Sequence, residues 1–175
     1  LHTSLSEDDK AYKLLSLPEQ LNLPTLRAGR MPQGEGECLA DSNAFSEADI
    51  GSTLYLSENN ESDTLGRLKT RELTIVGLGG SPLYMNFERG GTSLGSGSLA
   101  GFLYLPQDAF QMGGAFTEVY LRMERSYPVY SQTYLDALDT LSGSVEDAAK
   151  VQAQRRYAGL LADAEEQREK GQMEY

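Results

Sequence analysis

The sequence predicts an α+β protein, in which a mixed or antiparallel β-sheet with one or two short helices is followed by the start of a helical coiled-coil arm. Two observations predict this class. Short apolar runs bounded by glycine and proline occupy the first two thirds of the chain, and the hydrophobic spacing becomes helical from Tyr134 onward. We therefore expect residues 1–143 to form the α+β domain and residues 144–175 to form a truncated arm.

Several segments have the composition or alternation of strands. Residues 1–10 are polar and acidic and are expected to fray, and the proline-rich stretch after Pro18 should run extended over a surface before pairing resumes. The clearest alternation places Val119, Leu121 and Met123 on one face. The predicted strands are residues 12–17, 38–40, 53–56, 71–78, 101–105 and 117–123.

Three connections have recognisable patterns. Ser46 and Asp49 have the spacing of a capping box, which predicts one helical turn before the strand at residues 53–56. Residues 57–66 are interpreted as a polar loop. The glycine- and serine-rich stretch at residues 89–101 is either a mobile loop or a place where backbone passes close to backbone.

The last 40 residues are predicted to be helical in two pieces. The first should end at Gly143, and Ser144 with Asp147 repeats the capping-box spacing, so a second helix should run from residue 145 to about 170. Such a polar helix needs a partner, because burying one thin apolar stripe is how it offsets its ordering entropy. The weak coiled-coil stripe consists of Ala153, Tyr157, Leu160 and Ala164.

Composition excludes several classes of function. A formal net charge of −11 and a pI near 4.5 argue against a nucleic-acid partner, because phosphate binding requires clustered Lys and Arg. One cysteine, Cys38, and one histidine, His2, make an internal disulfide and a zinc or haem site unexpected. The chain has no long apolar run and no signal peptide and begins at Leu1, so we read it as part of a longer protein.

Two glycine motifs resemble catalytic or nucleotide-binding signatures. Gly91-Thr-Ser93-Leu-Gly95 matches the G-x-S-x-G nucleophile elbow, but no helix pattern follows and His2 precedes the serine, so we interpret Ser93 as part of a turn-forming loop. Residues 95–100 match G-x-G-x-x-A, although a strand and not a helix follows them. The chain also lacks a G-x-x-x-x-G-K-[ST] loop, so any ATP hydrolysis must come from another chain.

The remaining candidate side chains favour structural roles. Three loop carboxylates could hold calcium but lack the EF-hand spacing, which favours a solvated loop. Cys38 is interpreted as a small buried hydrophobe and His2 as part of a surface tail. Four tyrosines could form a contact patch but are interpreted as core residues. We therefore assign no catalytic, cofactor-binding or metal-binding residue and no defined partner-binding residue. The carboxylates are Glu58, Glu61 and Asp63, and the tyrosines are Tyr120, Tyr127, Tyr130 and Tyr134.

One sequence pattern resembles a known family. It consists of Ser16-Leu-Pro18, Leu21-Asn-Leu-Pro24, Leu26, Gly29-Arg-Met-Pro32, Glu37-Cys38 and Asp41. This pattern is similar to the MacB-like extracytoplasmic domain of large FtsX-like bacterial ABC transporter permeases.

The resemblance extends over roughly residues 12–175. Residues 45–56 resemble the family's entry to a strand, although Ser52 and Thr53 replace its usual acidic residue. Residues 162–175 resemble the first unit of a glycine-punctuated helical repeat, with Arg168 where an apolar residue is expected. Further similar stretches are Leu73 to Leu78, Gly80-Ser-Pro-Leu-Tyr84, and Glu88-Arg-Gly90 to Leu105-Pro106.

The resemblance implies a non-catalytic domain without cofactors, on the extracellular side of a cell membrane and between two transmembrane helices. The permease would pair with a cytoplasmic ABC ATPase, bind an unknown cargo or protein partner outside, and relay ATP-driven movement. Homo-oligomers could form through the arm. The alternative is a secreted adhesion or scaffold module that self-associates through the arm. Flanking transmembrane helices in the full reading frame would favour the first, and a signal peptide without them the second.

Overall fold

Seven strands form one mixed sheet, so the α+β class is confirmed. The computed structural model describes residues 1–6, 8 and 10–173, the last three as backbone only. The chain divides into two units, Leu1–Arg122 with the sheet and Met123–Tyr175 with a long helix. The strands are β1 His2–Ser4, β2 Ala11–Ser16, β3 Thr25–Gly29, β4 Glu37–Asp41, β5 Thr53–Tyr55, β6 Glu72–Gly80 and β7 Leu99–Leu105.

The strand order is β1-β2-β7-β4-β6-β3. The β2–β7 and β4–β6 pairs are parallel, and the remaining pairs are antiparallel. β5 and β3 both pair with β6, β5 along residues 72–74 and β3 along residues 77–80. The two strands therefore share β6 as a neighbour.

The β1 end of the sheet curls back onto the chain that follows β5. The Ser6 backbone N–H donates to the Tyr55 carbonyl at 2.8 Å, the Ser57 N–H donates to the Ser4 carbonyl at 2.9 Å, and Leu5 bridges Leu56. These bonds cover β1 on its outer side. β3 is the terminal strand at the other end of this order.

Both faces of the central strand β7 are buried. Leu103 and Leu105 lie in the larger core, while Phe102 and Tyr104 lie in a smaller cluster with Leu39. This arrangement is typical of strands with parallel neighbours, which read as continuous apolar runs because both of their faces are covered. Full burial of each such side chain stabilises the fold by about 1.5–3 kcal/mol.

Most of the predicted strands are confirmed. β2, β4, β5, β6 and β7 lie where the apolar runs predicted strands, with ends shifted by one or two residues. The capping box is also confirmed, because the Ser46 N–H donates to Asp49 Oδ2 at 2.7 Å at the start of a 3₁₀ turn, Glu47–Asp49. In the glycine-rich stretch, backbone does pass close to backbone, since the Thr92 N–H donates to the Gly97 carbonyl at 3.1 Å and the Leu99 N–H donates to the Gly90 carbonyl at 3.0 Å.

Other predictions about the first unit are wrong. The described residues of the 1–10 segment are not frayed, because Asn60 accepts from the Ser4 N–H at 2.8 Å and Leu5 is buried. The extended proline-rich stretch contains a paired strand, β3, and the loop at residues 57–66 contains a short helix, α1, Ser62–Gly66. Residues 117–123 form no strand, because alternation marks two faces but cannot supply a hydrogen-bonding neighbour.

The second unit contains one continuous helix, α2, Gln132–Met173. The predicted stop at Gly143 and the predicted cap at Ser144 are wrong, since the Ser144 hydroxyl donates to the Thr140 carbonyl at 3.0 Å inside the helix. A helix of 42 residues is roughly 60 Å long at 1.5 Å per residue. Within the described residues, no helix combines the length and the apolar character that a membrane crossing requires.

Candidate functional site

A buried ion pair joins the end of β4 to the loop that follows β6. Arg89 Nε donates to Asp41 Oδ2 at 2.5 Å, and Arg89 Nη2 donates to Asp41 Oδ1 at 3.2 Å. The two side chains are only 4 % and 1 % exposed. The Asn43 N–H also donates to Asp41, and Arg89 Nη1 donates to the Asn86 carbonyl, so both charges are hydrogen-bonded as well as paired.

Aromatic rings enclose this ion pair. The Arg89 guanidinium lies 5.1 Å from the Tyr84 ring centroid and 5.8 Å from that of Phe102, within cation–π range. The Ser81 and Tyr104 hydroxyls are 2.7 Å apart. Burial raises the pKa of the Tyr84 and Tyr104 hydroxyls, so both stay protonated at neutral pH.

A cleft of about 320 Å³ lies beside the ion pair, and we call it the β3 cleft. Its walls come from β3, from the end of β6 and from the loops that carry Asn43 and Arg89. It is lined by Leu23, Thr25, Arg27, Asn43, Gly80, Ser81, Pro82, Tyr84 and Arg89. Of these nine described residues, two are arginines and none is acidic.

A second, more apolar cavity of about 390 Å³ lies between the end of β2, the loop after Pro18 and residues 107–120. At its rim Lys13 forms an ion pair with Glu118, and the Tyr120 hydroxyl donates to Glu118 at 2.6 Å. These bonds lower the pKa of Glu118, the Lys13 bond most, while the Glu118 bond raises the pKa of Tyr120 to about 12. Lys13 and Glu118 thus neutralise each other at the rim. Most of the cavity lining is apolar.

The glycine motifs do not have the geometry that their signatures require. Ser93 is exposed in a bend between Gly91 and Ser98, which bridge each other. A nucleophile elbow needs a strand, a tight turn and a helix, but the bend at Ser93 is followed by the strand β7. The G-x-G-x-x-A match at residues 95–100 also leads into β7 and not into a helix. Within the described part of the chain, no histidine lies within hydrogen-bonding distance of Ser93.

The other predicted single residues separate into one confirmed and one corrected interpretation. Cys38 is fully buried, as predicted, and desolvation raises the pKa of its thiol to about 12. His2 is not part of a free tail, because it lies in β1 opposite Lys13 of β2, where desolvation lowers the pKa of its imidazole.

The loop carboxylate Asp63 forms an ion pair with Arg67. Among the described residues, no group of three His, Cys, Asp or Glu could hold a metal ion.

The interpretation of the four tyrosines as core residues is wrong. Tyr120 is 46 % exposed and Tyr130 is 84 % exposed, and neither Tyr127 nor Tyr134 is buried. The buried tyrosines are instead Tyr12 and Tyr104. The spacing of the tyrosines along the sequence did not distinguish the buried ones from those that are partly or fully exposed.

The Asp41–Arg89 cluster was not predicted as a site. Its only local signals were a carboxylate directly after an apolar strand and an arginine at the start of a glycine-rich loop. Nothing in their spacing along the chain pairs the two, because the contact depends on how β4, β6 and β7 are ordered.

Comparisons of the chain with protein-family models, with curated proteins and with solved structures found no match. The family resemblance therefore stays a prediction.

Proposed function

We propose that this chain is the extracellular domain of an FtsX-like ABC transporter permease. In this proposal it binds a cargo or protein partner and relays movement that a cytoplasmic ABC ATPase drives, without chemistry of its own. The observation that carries the proposal is the Asp41–Arg89 cluster, in which separate parts of the family-like pattern meet.

Three stretches that resemble the family contribute to this one cluster. Asp41 ends the first stretch, Tyr84 ends the second, and Arg89 lies in the third. Arg89 binds Asp41 and lies over the Tyr84 ring. These contacts give the three positions of the pattern a common structural role, which supports the proposal.

A glycine of the same pattern also has a structural reason. Gly29 has a φ of +73°, and a Cβ at this position would lie 2.4 Å from the Val76 carbonyl oxygen. Only glycine fits this close contact between β3 and β6. The resemblance thus falls on positions that the fold constrains, which supports its use as a guide to function.

A relaying domain needs a stiff body and surfaces that can bind. The sheet is stiff in this sense because its central strands are buried on both faces and a paired charge ties the β6–β7 loop to β4. The long helix α2 exposes Leu138, Val145 and Leu160, which a partner helix could cover. These features suit binding and force transmission.

Topology labelling in intact cells tests the proposal. Cys38 is buried with a raised thiol pKa, so the folded protein provides a background with little thiol reactivity. We would place single cysteines at two exposed positions, Ser96→Cys and Gln152→Cys, in the full-length protein that contains this chain. A membrane-impermeant maleimide should label both variants in intact cells more strongly than it labels the parent protein.

Two outcomes would contradict the proposal. Labelling of both variants only after lysis would place the domain inside the cell. Recovery of the labelled protein from the medium, as a self-associated species free of membranes, would favour the secreted scaffold instead. Co-purification of the membrane-extracted protein with an ABC ATPase is the further expected result.

A further inference from the structure

β3 is the exposed edge of the sheet. All but one of its five residues are exposed, and within the described strands it pairs only with β6. The other end of the sheet is closed, because β1 is hydrogen-bonded to residues 55–57. An open edge strand presents a row of unpaired backbone N–H and C=O groups that can pair with another chain.

The β3 cleft beside this edge carries an unpaired positive charge. Arg27 is exposed and, within the described residues, forms no ion pair or hydrogen bond through its guanidinium. The two neighbouring cations are neutralised, Arg30 by Glu37 and Arg89 by Asp41. In a chain with a net charge of −11, this cleft is a local site for an anionic group.

β3 also offers an apolar contact outside the cleft. Thr25 and Arg27 line the cleft together with the exposed Leu23, whereas Leu26 does not line it. The pairing of β3 with β6 shifts its register between Leu26 and Ala28, so simple alternation of faces does not apply at Arg27. Leu26 is 42 % exposed. A partner strand here would meet Arg27 in the cleft and the exposed Leu26 outside it.

We propose that β3 binds an extended peptide segment of another protein. The segment adds as a strand to this edge and places an acidic side chain in the β3 cleft against Arg27. Backbone hydrogen bonds supply the affinity in this mode of recognition, and the side chains at alternate positions supply the specificity. A second copy of the chain fits less well, because two β3 edges paired about their centres would bring two Arg27 side chains together.

This inference does not depend on the permease assignment, because the edge and the cleft lie wholly within residues 1–122. It therefore fails or stands separately from the labelling experiment.

Fluorescence anisotropy of a labelled synthetic peptide tests the inference. The probe is the nonapeptide SVTVEVTVS, whose alternation puts the glutamate on the face opposite to the valines. It should bind the full chain, and its glutamate-to-lysine counterpart should bind at least tenfold more weakly. Arg27→Ala should weaken binding of the glutamate probe about fivefold, the upper end of what an exposed ion pair contributes. The matched control Arg71→Ala removes an exposed arginine outside the cleft and should change nothing.

Two further arms separate strand addition from simple charge attraction. Arg27→Glu should reverse the preference, so that the lysine probe binds better than the glutamate probe. A strand bound through one edge uses only alternate N–H groups. N-methylation of one alternate set of probe positions, even or odd, should therefore abolish binding, and N-methylation of the other set should leave binding intact.

Three results of the peptide-binding assay would overturn the inference. They are no binding of the glutamate probe at millimolar protein, equal binding of the two charge forms, and equal tolerance of both N-methylated sets. Sedimentation that shows a dimer disrupted by the probe would likewise overturn it, since a second copy would then occupy the edge.

Discussion

Replacement of Arg89 by methionine is expected to destabilise the first unit severely. The Arg89→Met side chain keeps the apolar contact with Tyr84 and Phe102 but removes three hydrogen bonds, two of them to Asp41. The Asp41 carboxylate, only 1 % exposed, is then left buried without its partner. Breaking a buried pair in this way costs about 3–5 kcal/mol of unfolding free energy.

Urea unfolding followed by near-ultraviolet circular dichroism measures this change, since Tyr12, Tyr84 and Tyr104 report on packing in the sheet. With an m-value of about 2 kcal/mol/M, the expected loss lowers the midpoint by about 1.5–2.5 M. The matched control Arg67→Met removes an exposed i,i+4 pair with Asp63 and should lower the midpoint by less than about 0.5 M.

The double variant Asp41→Asn with Arg89→Met sharpens the test. It should be more stable than Arg89→Met alone, because it no longer leaves a charge buried without a partner. A midpoint for Arg89→Met that is indistinguishable from that of Arg67→Met would refute the reasoning. So would a double variant whose loss equals the sum of the two single losses.

Three further predictions follow from single positions. Cys38 should resist a maleimide at pH 8 in the folded protein and react once urea unfolds it; fast labelling in the native state would show that the thiol is not buried. Gly77→Ala should lower the free energy of unfolding by about 1–3 kcal/mol, because the alanine Cβ would lie 2.3 Å from the Arg30 carbonyl oxygen. Gly159→Ala, in open space on α2, should instead raise helix stability by roughly 0.5–1 kcal/mol. Urea unfolding measures both changes, and a stability change of the same sign in the two variants would contradict the contact geometry. The hydrogen bond from Arg30 lowers the pKa of Glu37 from its usual 4.5 to about 2, so the stability it contributes should be present above pH 4.5 and lost as the pH falls toward 2; an NMR titration should show the depressed pKa, and Glu37→Gln should lose that part of the acid dependence.

The sequence predicted the central strands because their signal is local. β6 and β7 are continuous apolar runs closed by glycine or proline, and this composition suffices where both faces of a strand are buried. β1 and β3 were missed because their residues are polar or exposed, and their pairing depends on neighbours far along the chain. Residues 117–123 failed in the opposite way, since their alternation was clear but no strand lies beside them.

The helix boundaries were mispredicted for a similar reason. Gly143 is a common C-terminal stop, but a glycine ends a helix only where the chain takes up the left-handed conformation, and here it continues as α-helix. The candidate site was least predictable. Asp41 and Arg89 are ordinary residues in their local context, and only the strand order brings them together.

The position of β7 has a consequence for folding. β7 lies between β2 and β4, although it is the last of the seven strands to be synthesised. Until residue 105 leaves the ribosome, the strands at either side of it have exposed edges and share no central neighbour. Closing a pair between residues 11 and 99 must first overcome a large loop entropy, so this unit should fold late and slowly for its size. If the domain folds on the outer side of a membrane, as proposed, the six earlier strands would have to be protected from aggregation until β7 can pair with them.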